Sequence, residues 1–456
     1  MARSILWFRR DLRVVEHPAL AAAHEHGEVV PVYVLDPAFE AAGAPRRAYL
    51  AAALRELDGQ LGGRLVVRAG DPVEVVPALA AEVAADSVFV TRDHGPYGRR
   101  RDGAVADRLR SDGRAFRGVG SNYALEPGTV GKADGSPYSV FTPFAKRWLA
   151  IGADEWPDRP ATPPVDDVRW VGAPDVERVA LPPLPEGVPP EGLPDASADA
   201  VRAQWADFVD LRLDDYDEQR NLPGRDGTSR MSIALRWGVV HPLELIDDLR
   251  DERAHRVFRT ELAWRDFYAD VLLHRPETAW QNLQPKMDAM PVDTDAAARR
   301  RFRRWCDGTT GFPVVDAGMR QMLATGWMHN RVRMIVASFL VKDLHLPWQW
   351  GARHFMLHLL DGDLASNNHS WQWTAGTGTD ASPYYRIFNT TAQSERFDPD
   401  GSYIRRWVPE LADLPDRVIH APSGAKPEAY PAPMVDHAAE RIDALARYKS
   451  VTSSSR

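Results

Sequence analysis

Thr325 to Met334 reads TGWMHNRVRM, and Asp361 to Asp380 reads DGDLASNNHSWQWTAGTGTD. Thr325-Gly326 breaks the chain after the apolar segment Val314 to Leu323, and a helix is predicted from there to Leu344. Met328, Val332, Ile335, Phe339 and Leu340 recur at helical spacing and form its core stripe. Asn330, Arg333, Met334 and Ala337 fall at i, i+3, i+4 and i+7, on a different face. An amide, a guanidinium and a thioether side by side suit a polar ligand with a flat apolar part. For this helix alone a satisfied core Asn and a surface Arg are the preferred explanation, until the second run is added. There Asp361 and Asp363 flank a glycine, Asn367 and Asn368 follow, then Trp371 and Trp373. That run is too polar for a core and too aromatic for a solvated loop. Together the two runs place Asn, Arg, Asp and Trp against one buried site.

The rest of the chain is bounded by its composition. Its 456 residues suggest two or three domains, and 44% hydrophobic with 26% charged residues is ordinary for a globular protein. No apolar run approaches membrane-spanning length, and the N-terminus lacks a signal-peptide pattern, so a cytoplasmic protein without a membrane partner is expected. The single cysteine, Cys306, excludes intrachain disulfides, iron–sulfur ligation and thiolate zinc sites. His354 and His358 are i,i+4 with no acidic residue between them. They read as helix surface, and no metal site is expected. A net charge of −8 excludes a molecule basic all over, so nucleic-acid binding requires a local patch. Arg299 to Arg304, RRRFRR, is one candidate, with Phe302 and Trp305 turned inward.

Residues 1–128 alternate short apolar runs (Ile5 to Phe8, Val29 to Leu35, Leu65 to Arg68, Val88 to Thr91) with Ala-rich amphipathic segments such as Arg47 to Leu61 and Val73 to Ala84. Asp71-Pro72 is a helix start. Such alternation predicts an α/β domain, a doubly wound parallel sheet with ligands beyond the carboxyl ends of its strands. No GxGxxG is present. Residues 129–200 read as an interdomain linker, proline-rich and extended from Leu181 to Asp195. Residues 201–456 read as helix after helix and hold eleven of the 15 tryptophans, which locates the aromatic chemistry there. In Tyr216 to Ser232, YDEQRNLPGRDGTSRMS, Thr228 or Ser229 is expected to cap a helix through Ala234 and Leu235. Its N-terminus suits a phosphate, although a capped helix alone is an ordinary feature. Glu261, Trp264, Arg265 and Tyr268 share one helix face, and a Glu261–Arg265 pair is the bland expectation.

TGWMHNRVRM, DGDLASNNHSWQW, GTD (Gly378 to Asp380) and YYRIFN (Tyr384 to Asn389) resemble the flavin and substrate site of the DNA photolyase/cryptochrome family, most closely the class I photolyases for cyclobutane pyrimidine dimers. The resemblance runs from LWFRRDLR at Leu6 to RRWVPEL at Arg405, poor only in the linker. It implies a monomeric enzyme with an all-α FAD-binding domain, which repairs dimers in DNA by light-driven electron transfer from reduced FAD. It assigns the FAD diphosphate to Thr228, Ser229, Arg230, Met231 and Ser232, with Tyr216, Arg220 and Arg265 nearby. Arg333 is expected to pair with Asp361 beside the flavin, Asp363 to accept from its ring N–H, and Asn367 to face its reactive nitrogen. Glu261 is expected to hydrogen-bond the dimer, Trp264 and Trp373 to wall it, and Asn330 and Met334 to floor it. Arg331 and Arg386 are expected to contact DNA.

The family's tryptophan relay maps onto Trp371 and Trp348. Its outer position falls on Asp295, leaving Trp305 and Trp350 as substitutes. GPYGRRRDG (Gly95 to Gly103) resembles the branch with an 8-hydroxy-5-deazaflavin antenna rather than folate, and implies contacts from Arg46, Asp93 and Arg236. Alternatives are a cryptochrome-type photoreceptor, a flavoprotein carrying electrons between partners, or a (6-4) photolyase. The (6-4) branch has a His-His pair where this chain has His329-Asn330.

Overall fold

The computed structural model describes residues 2–154, 156–157, 161–171, 178–379, 385–424 and 428–452. The first lobe is a five-stranded parallel sheet of β1 (Arg3–Phe8), β2 (Glu28–Leu35), β3 (Val66–Ala69), β4 (Ser87–Val90) and β5 (Ala115–Gly118), ordered β3-β2-β1-β4-β5. Four strands fall on the expected apolar runs. The fifth, AFRG, is a half-exposed edge with no such run to announce it. Helices α1 (Pro18–His26), α2 (Ala44–Gln60), α3 (Pro72–Glu82) and α4 (Pro96–Ser111) connect the strands. Asp71 caps α3 through the Val73 amide, as expected.

Alternate strand residues face opposite ways. Trp7, Val30, Val32 and Val34 pack on Val76 and Leu79 of α3 and Val105 and Leu109 of α4. Leu6, Phe8, Val29 and Tyr33 face α1 and α2, in an apolar core that continues into the helical lobe. The sheet is therefore doubly wound. Chain order reverses between the paired strands β1 and β4, so the loops after Phe8 and Val90 form the switch point.

The linker is more structured than its sequence suggests. Helix α5 (Phe141–Asp154) packs against the second lobe, and Trp170 bridges to Val29 of β2. Pro143 sits in the first turn of α5, where its missing N–H costs nothing.

The second lobe contains α6 (Ala198–Leu211), α7 (Tyr216–Gln219), α8 (Ser232–Trp237), α9 (Pro242–Asp247), α10 (Arg253–His274), α11 (Ala296–Cys306), α12 (Pro313–Thr325), α13 (Asn330–Ser338), α14 (Trp348–His358) and α15 (Leu364–Ala375). It ends with α16 (Thr390–Phe397), α17 (Ser402–Trp407), α18 (Asp416–Ile419) and α19 (His437–Thr452). Gly326 caps α12 in the left-handed conformation. Met328, Val332, Ile335, Phe339 and Leu340 are all buried, as their spacing requires. The α-helix stops at Ser338, however, and a π-helical turn, Phe339–Asp343, completes the segment expected to be helical to Leu344. The wider turn directs Phe339, Leu340, Lys342 and Asp343 all inward. Helix α15 packs against α10, α13 and α14. Among the described residues no helix is long and apolar enough to cross a membrane.

Candidate functional site

Asp361, in the turn before α15, accepts 3.2 and 2.8 Å hydrogen bonds from Arg333 of α13 and a 2.7 Å bond from the Ser232 hydroxyl of α8. The expected ion pair forms, and Ser232 joins it. Arg333 is held in place by a 2.7 Å bond from Nε to the Met328 carbonyl. The helix expected to start at Thr228 or Ser229 begins instead at Ser232, with no side-chain cap. The Ser229 hydroxyl accepts from the Met231 amide at 3.3 Å, and Arg230 is left-handed at φ 55°, so the chain turns once more before entering the helix. Arg230 lies 4.7 Å over the Trp327 ring; Thr228 is half-buried and Met231 buried. Tyr216 is enclosed by Phe208 and Phe258, with Arg220 over its ring at 5.4 Å. The Asn367 amide donates to the Ala352 carbonyl at 3.1 Å and to Asn368 at 2.8 Å.

On α10, Glu261 pairs with Arg220 at 2.7 Å, not with Arg265. Arg265 reaches the other way and donates to the carbonyls of Asn122 (2.6 Å) and Leu235 (3.1 Å), stapling the lobes together. Trp264 stacks on Phe141 of α5, centroids 3.5 Å apart and planes at 9°, and touches Tyr268 at 5.2 Å. One face of this indole is thus covered and its orientation fixed. Glu261, Trp264, Met334 and Trp373 are half-buried and Asn330 is exposed, so none is spent on the core. Arg331 donates to Asn221 at 2.6 Å and lies 4.5 Å over Phe397; Arg396 lies over the same ring at 5.1 Å. Burial, then repulsion from Arg220 and Arg396, lowers the Arg331 guanidinium. Three cations crowded on one rim are relieved by an anion. Arg386 is exposed, whereas Asp380 and Tyr384 of the quoted motifs lie outside the described residues.

Trp371 is buried, 5.1 Å from Phe355 and 6.1 Å from Trp305. Trp305 is followed by Phe302 at 5.8 Å, and Phe302 by the half-buried Trp350 at 5.3 Å, under Arg299. The buried Trp348 donates its indole N–H to Asn282 at 2.9 Å. Asp295 is the N-cap of α11, bonded to the Ala298 amide at 2.7 Å, which explains why no indole stands there. His354 is not surface, since it packs on Trp305 at 5.6 Å. Phe302 and Trp305 turn inward as expected, but Arg301 pairs with Asp293 and Arg304 binds the Thr309 carbonyl, so only part of the basic run faces outward.

Between the lobes, Asp363 caps α15 through the Ser366 amide (3.1 Å) and pairs with Arg10 at 2.8 Å and Arg236 at 4.0 Å. Burial raises this carboxyl, yet Arg10, Arg236 and Arg265 hold it well below the usual carboxylate range. Arg236 also donates to the Gly362 carbonyl at 2.8 Å. Burial pushes Arg236 down to about 9 and Arg46 to about 10. Asp93 lies 3.5 Å from Arg101, and its carboxylate is favoured by Arg10. Arg10 Nε, Arg46 Nε and Arg236 Nη1 are buried with no hydrogen-bond partner among the described residues. The adjoining cavity, bounded by Arg9, Arg10, Asp93, His94 and Tyr123, measures only about 10 Å³.

The three residues expected at the antenna therefore gather around Arg10, to which the sequence reading assigned no role. Arg10 follows the carboxyl end of β1, where a doubly wound sheet places its ligands. Phe141 and Arg396 were also missed; neither belongs to a motif, and only packing brings them to the site.

A sheet lobe is joined to a helical lobe that carries the Arg333–Asp361–Ser232 cluster, with Asp361 buried, and an aromatic opening rimmed by cations. A model described as the FAD binding domain of DNA photolyase matches residues 258–450, and one described as DNA photolyase matches residues 4–164. The chain is 38% identical to the deoxyribodipyrimidine photo-lyase of Agrobacterium fabrum, over 98% of both chains. A bacterial class III photolyase from Agrobacterium tumefaciens superposes with a TM-score of 0.91 at 36% identity, covering 99% of this chain and 98% of the other. A Synechocystis cryptochrome superposes at 0.89 with 28% identity, covering 98% and 99%. The chain belongs to the DNA photolyase family.

Proposed function

We propose that this protein repairs cyclobutane pyrimidine dimers in DNA by a light-dependent reaction, acting as a monomer. The observation that carries the reading is the Glu261–Arg220 pair set beside the braced indole of Trp264 and under the rim of Arg331 and Arg396. The rim accepts phosphates, and Trp264 and Trp373 offer faces to unstacked pyrimidines. Extrusion of the damaged bases into such a pocket is a step the general account of base flipping already describes for photolyases. Glu261 presents a carboxylate to the polar edges of the bases, where it stabilises the negative charge that develops during ring opening.

FAD is held, in this reading, by Thr228, Ser229, Arg230, Met231 and Ser232 at its diphosphate and by Arg333, Asp361, Asp363 and Asn367 at its ring, with Tyr216, Arg220 and Arg265 behind them. The donor set fits the group: hydroxyls and guanidinium for phosphate, a carboxylate and amides for ring N–H and carbonyl groups. When bound, FAD supplies the absorbed light and a single electron. Trp371, with Trp348 or with Trp305 and Trp350, would carry electrons inward to refill it.

The finer placement, class I with an 8-hydroxy-5-deazaflavin antenna, is supported by GPYGRRRDG and by the buried guanidinium nitrogens of Arg10, Arg46 and Arg236 that lack a hydrogen-bond partner among the described residues. These favour an anionic chromophore, for which the 10 Å³ cavity must open. Reconstitution with deazaflavin and folate decides between them, and exclusive uptake of folate overturns this placement.

The likeness to a cryptochrome favours light signalling as the second reading. A (6-4) substrate is disfavoured because His329 is buried, caps α13 and is pushed down to about 3 by burial and then by Arg331, leaving no acidic imidazole. The test is to mix flavin-loaded protein with dimer-containing DNA under blue light. Light-dependent loss of dimers is expected, and unchanged dimers in light would leave the signalling reading. Binding should weaken with salt, and Arg331→Ala should lower the salt slope by about one.

A further inference from the structure

Lys342 is 4% exposed, inside the π-helical turn. Its ammonium donates to the backbone carbonyl of Arg386 and lies 4.6 Å over the Tyr385 ring. Tyr385 is itself stacked on Tyr448 of α19, centroids 4.3 Å apart and planes at 12°. It also fills the slot over Gly376 at the end of α15, where an added Cβ would come within 3.1 Å of the ring. The Phe388 amide reaches the Ser338 hydroxyl of α13 at 3.5 Å. The next residue of the π turn, Asp343, takes a hydrogen bond from His437 of α19. The exposed Arg386 therefore belongs to an irregular segment fixed from behind by a buried cation, an aromatic pair and the C-terminal helix.

We infer that Lys342 is a positioning residue for DNA binding, the rear anchor that holds the exposed Arg386 segment in place through its carbonyl and the Tyr385 ring. The inference rests on the reading of Arg386 as a DNA contact. An ammonium suits the role because one group satisfies a carbonyl and an aromatic face together. Burial lowers Lys342 to about 7, with Asp343 opposing the fall and Arg386 adding to it. Tyr385 faces it, backed by Tyr448 of α19, and His437 stands beyond Asp343. The anchor should thus weaken as pH rises through neutrality and the ammonium becomes an amine.

The experiment compares flavin-loaded wild type, Arg386→Ala, Lys342→Met and Tyr448→Ala. Lys342→Met keeps length and apolar bulk without a buried charge. It should raise KM for dimer-containing DNA about fivefold, the worth of roughly 1 kcal/mol for one cation–π contact and its hydrogen bond. Repair at saturating DNA and flavin content should not change, and the loss of affinity between pH 6 and 8 seen in wild type should flatten. Tyr448→Ala should weaken binding in the same way from the far side of Tyr385. Wild-type affinity in Arg386→Ala would refute the DNA reading of that arginine. Weakened Arg386→Ala beside Lys342→Met with wild-type KM and pH profile would refute the anchor. Loss of flavin in Lys342→Met would refute a role confined to DNA.

Discussion

At the scale of single residues, the partners of Glu261 decide its part. Its carboxylate faces Arg220 rather than the neighbouring Arg265, so it lies at the opening and not in an intrahelical pair. Glu261→Ala should retain FAD and repair dimers about tenfold less efficiently, the worth of one charge-assisted hydrogen bond of about 1.5 kcal/mol. Repair quantum yield beside the flavin absorbance checks this, and flavin loss with an unchanged yield would reassign Glu261 to the cofactor. Electron supply is separable from repair. Trp371→Phe should abolish photoreduction of oxidised flavin yet leave chemically reduced enzyme active. The 6.1 Å contact between Trp371 and Trp305 further implies that Trp305→Phe slows photoreduction. If Trp348→Phe alone slows it, Trp305 and Trp350 carry no electrons.

At the scale of elements, the helix pair α14–α15 carries the relay and leaves no room to spare. A Cβ at Gly351 would stand 2.1 Å from the ring of Trp371. Gly351→Ala should therefore cost about 1–3 kcal/mol through overpacking. It should also displace Trp371 and slow photoreduction, which thermal melts and flash absorption measure separately. A variant with wild-type melting and wild-type photoreduction would show that the helices part without cost. Element boundaries explain much of what the sequence concealed. The helix α5 lies in a region read as linker, and the π turn cannot be distinguished from α-helix by periodicity alone. The start of α8 moved to Ser232 because a residue with β-carbon, Arg230, took a left-handed turn.

At the scale of the molecule, the lobes are joined through buried polar groups that respond to pH. Asp266 of α10 accepts 2.9 Å bonds from the Leu125 amide and the Trp148 indole, both on Oδ2. Burial pushes its carboxyl up to about 6. A carboxyl raised on folding contributes stability that is full below its unfolded value and lost as pH rises through about 6. Asp266→Asn keeps one oxygen for both donors and removes that dependence. The melting temperature of the variant relative to wild type should be higher at pH 8 than at pH 5. A difference that stays constant with pH would mean that Asp266 does not titrate in this range.

The sequence by itself determined the two-lobed class, four of the five strands and the buried stripe of α13. Each of these follows from periodicity or from a motif whose members lie close in the chain. Tertiary structure alone decided which partner each charged side chain takes. Arg265 turned to backbone carbonyls of Asn122 and Leu235, Arg10 reached Asp363 across 353 positions, and Phe141 came to brace Trp264. Long side chains have many partners within reach, and local sequence does not rank them. The choice is made when burial makes an unpaired charge costly and packing leaves one partner near enough to satisfy it.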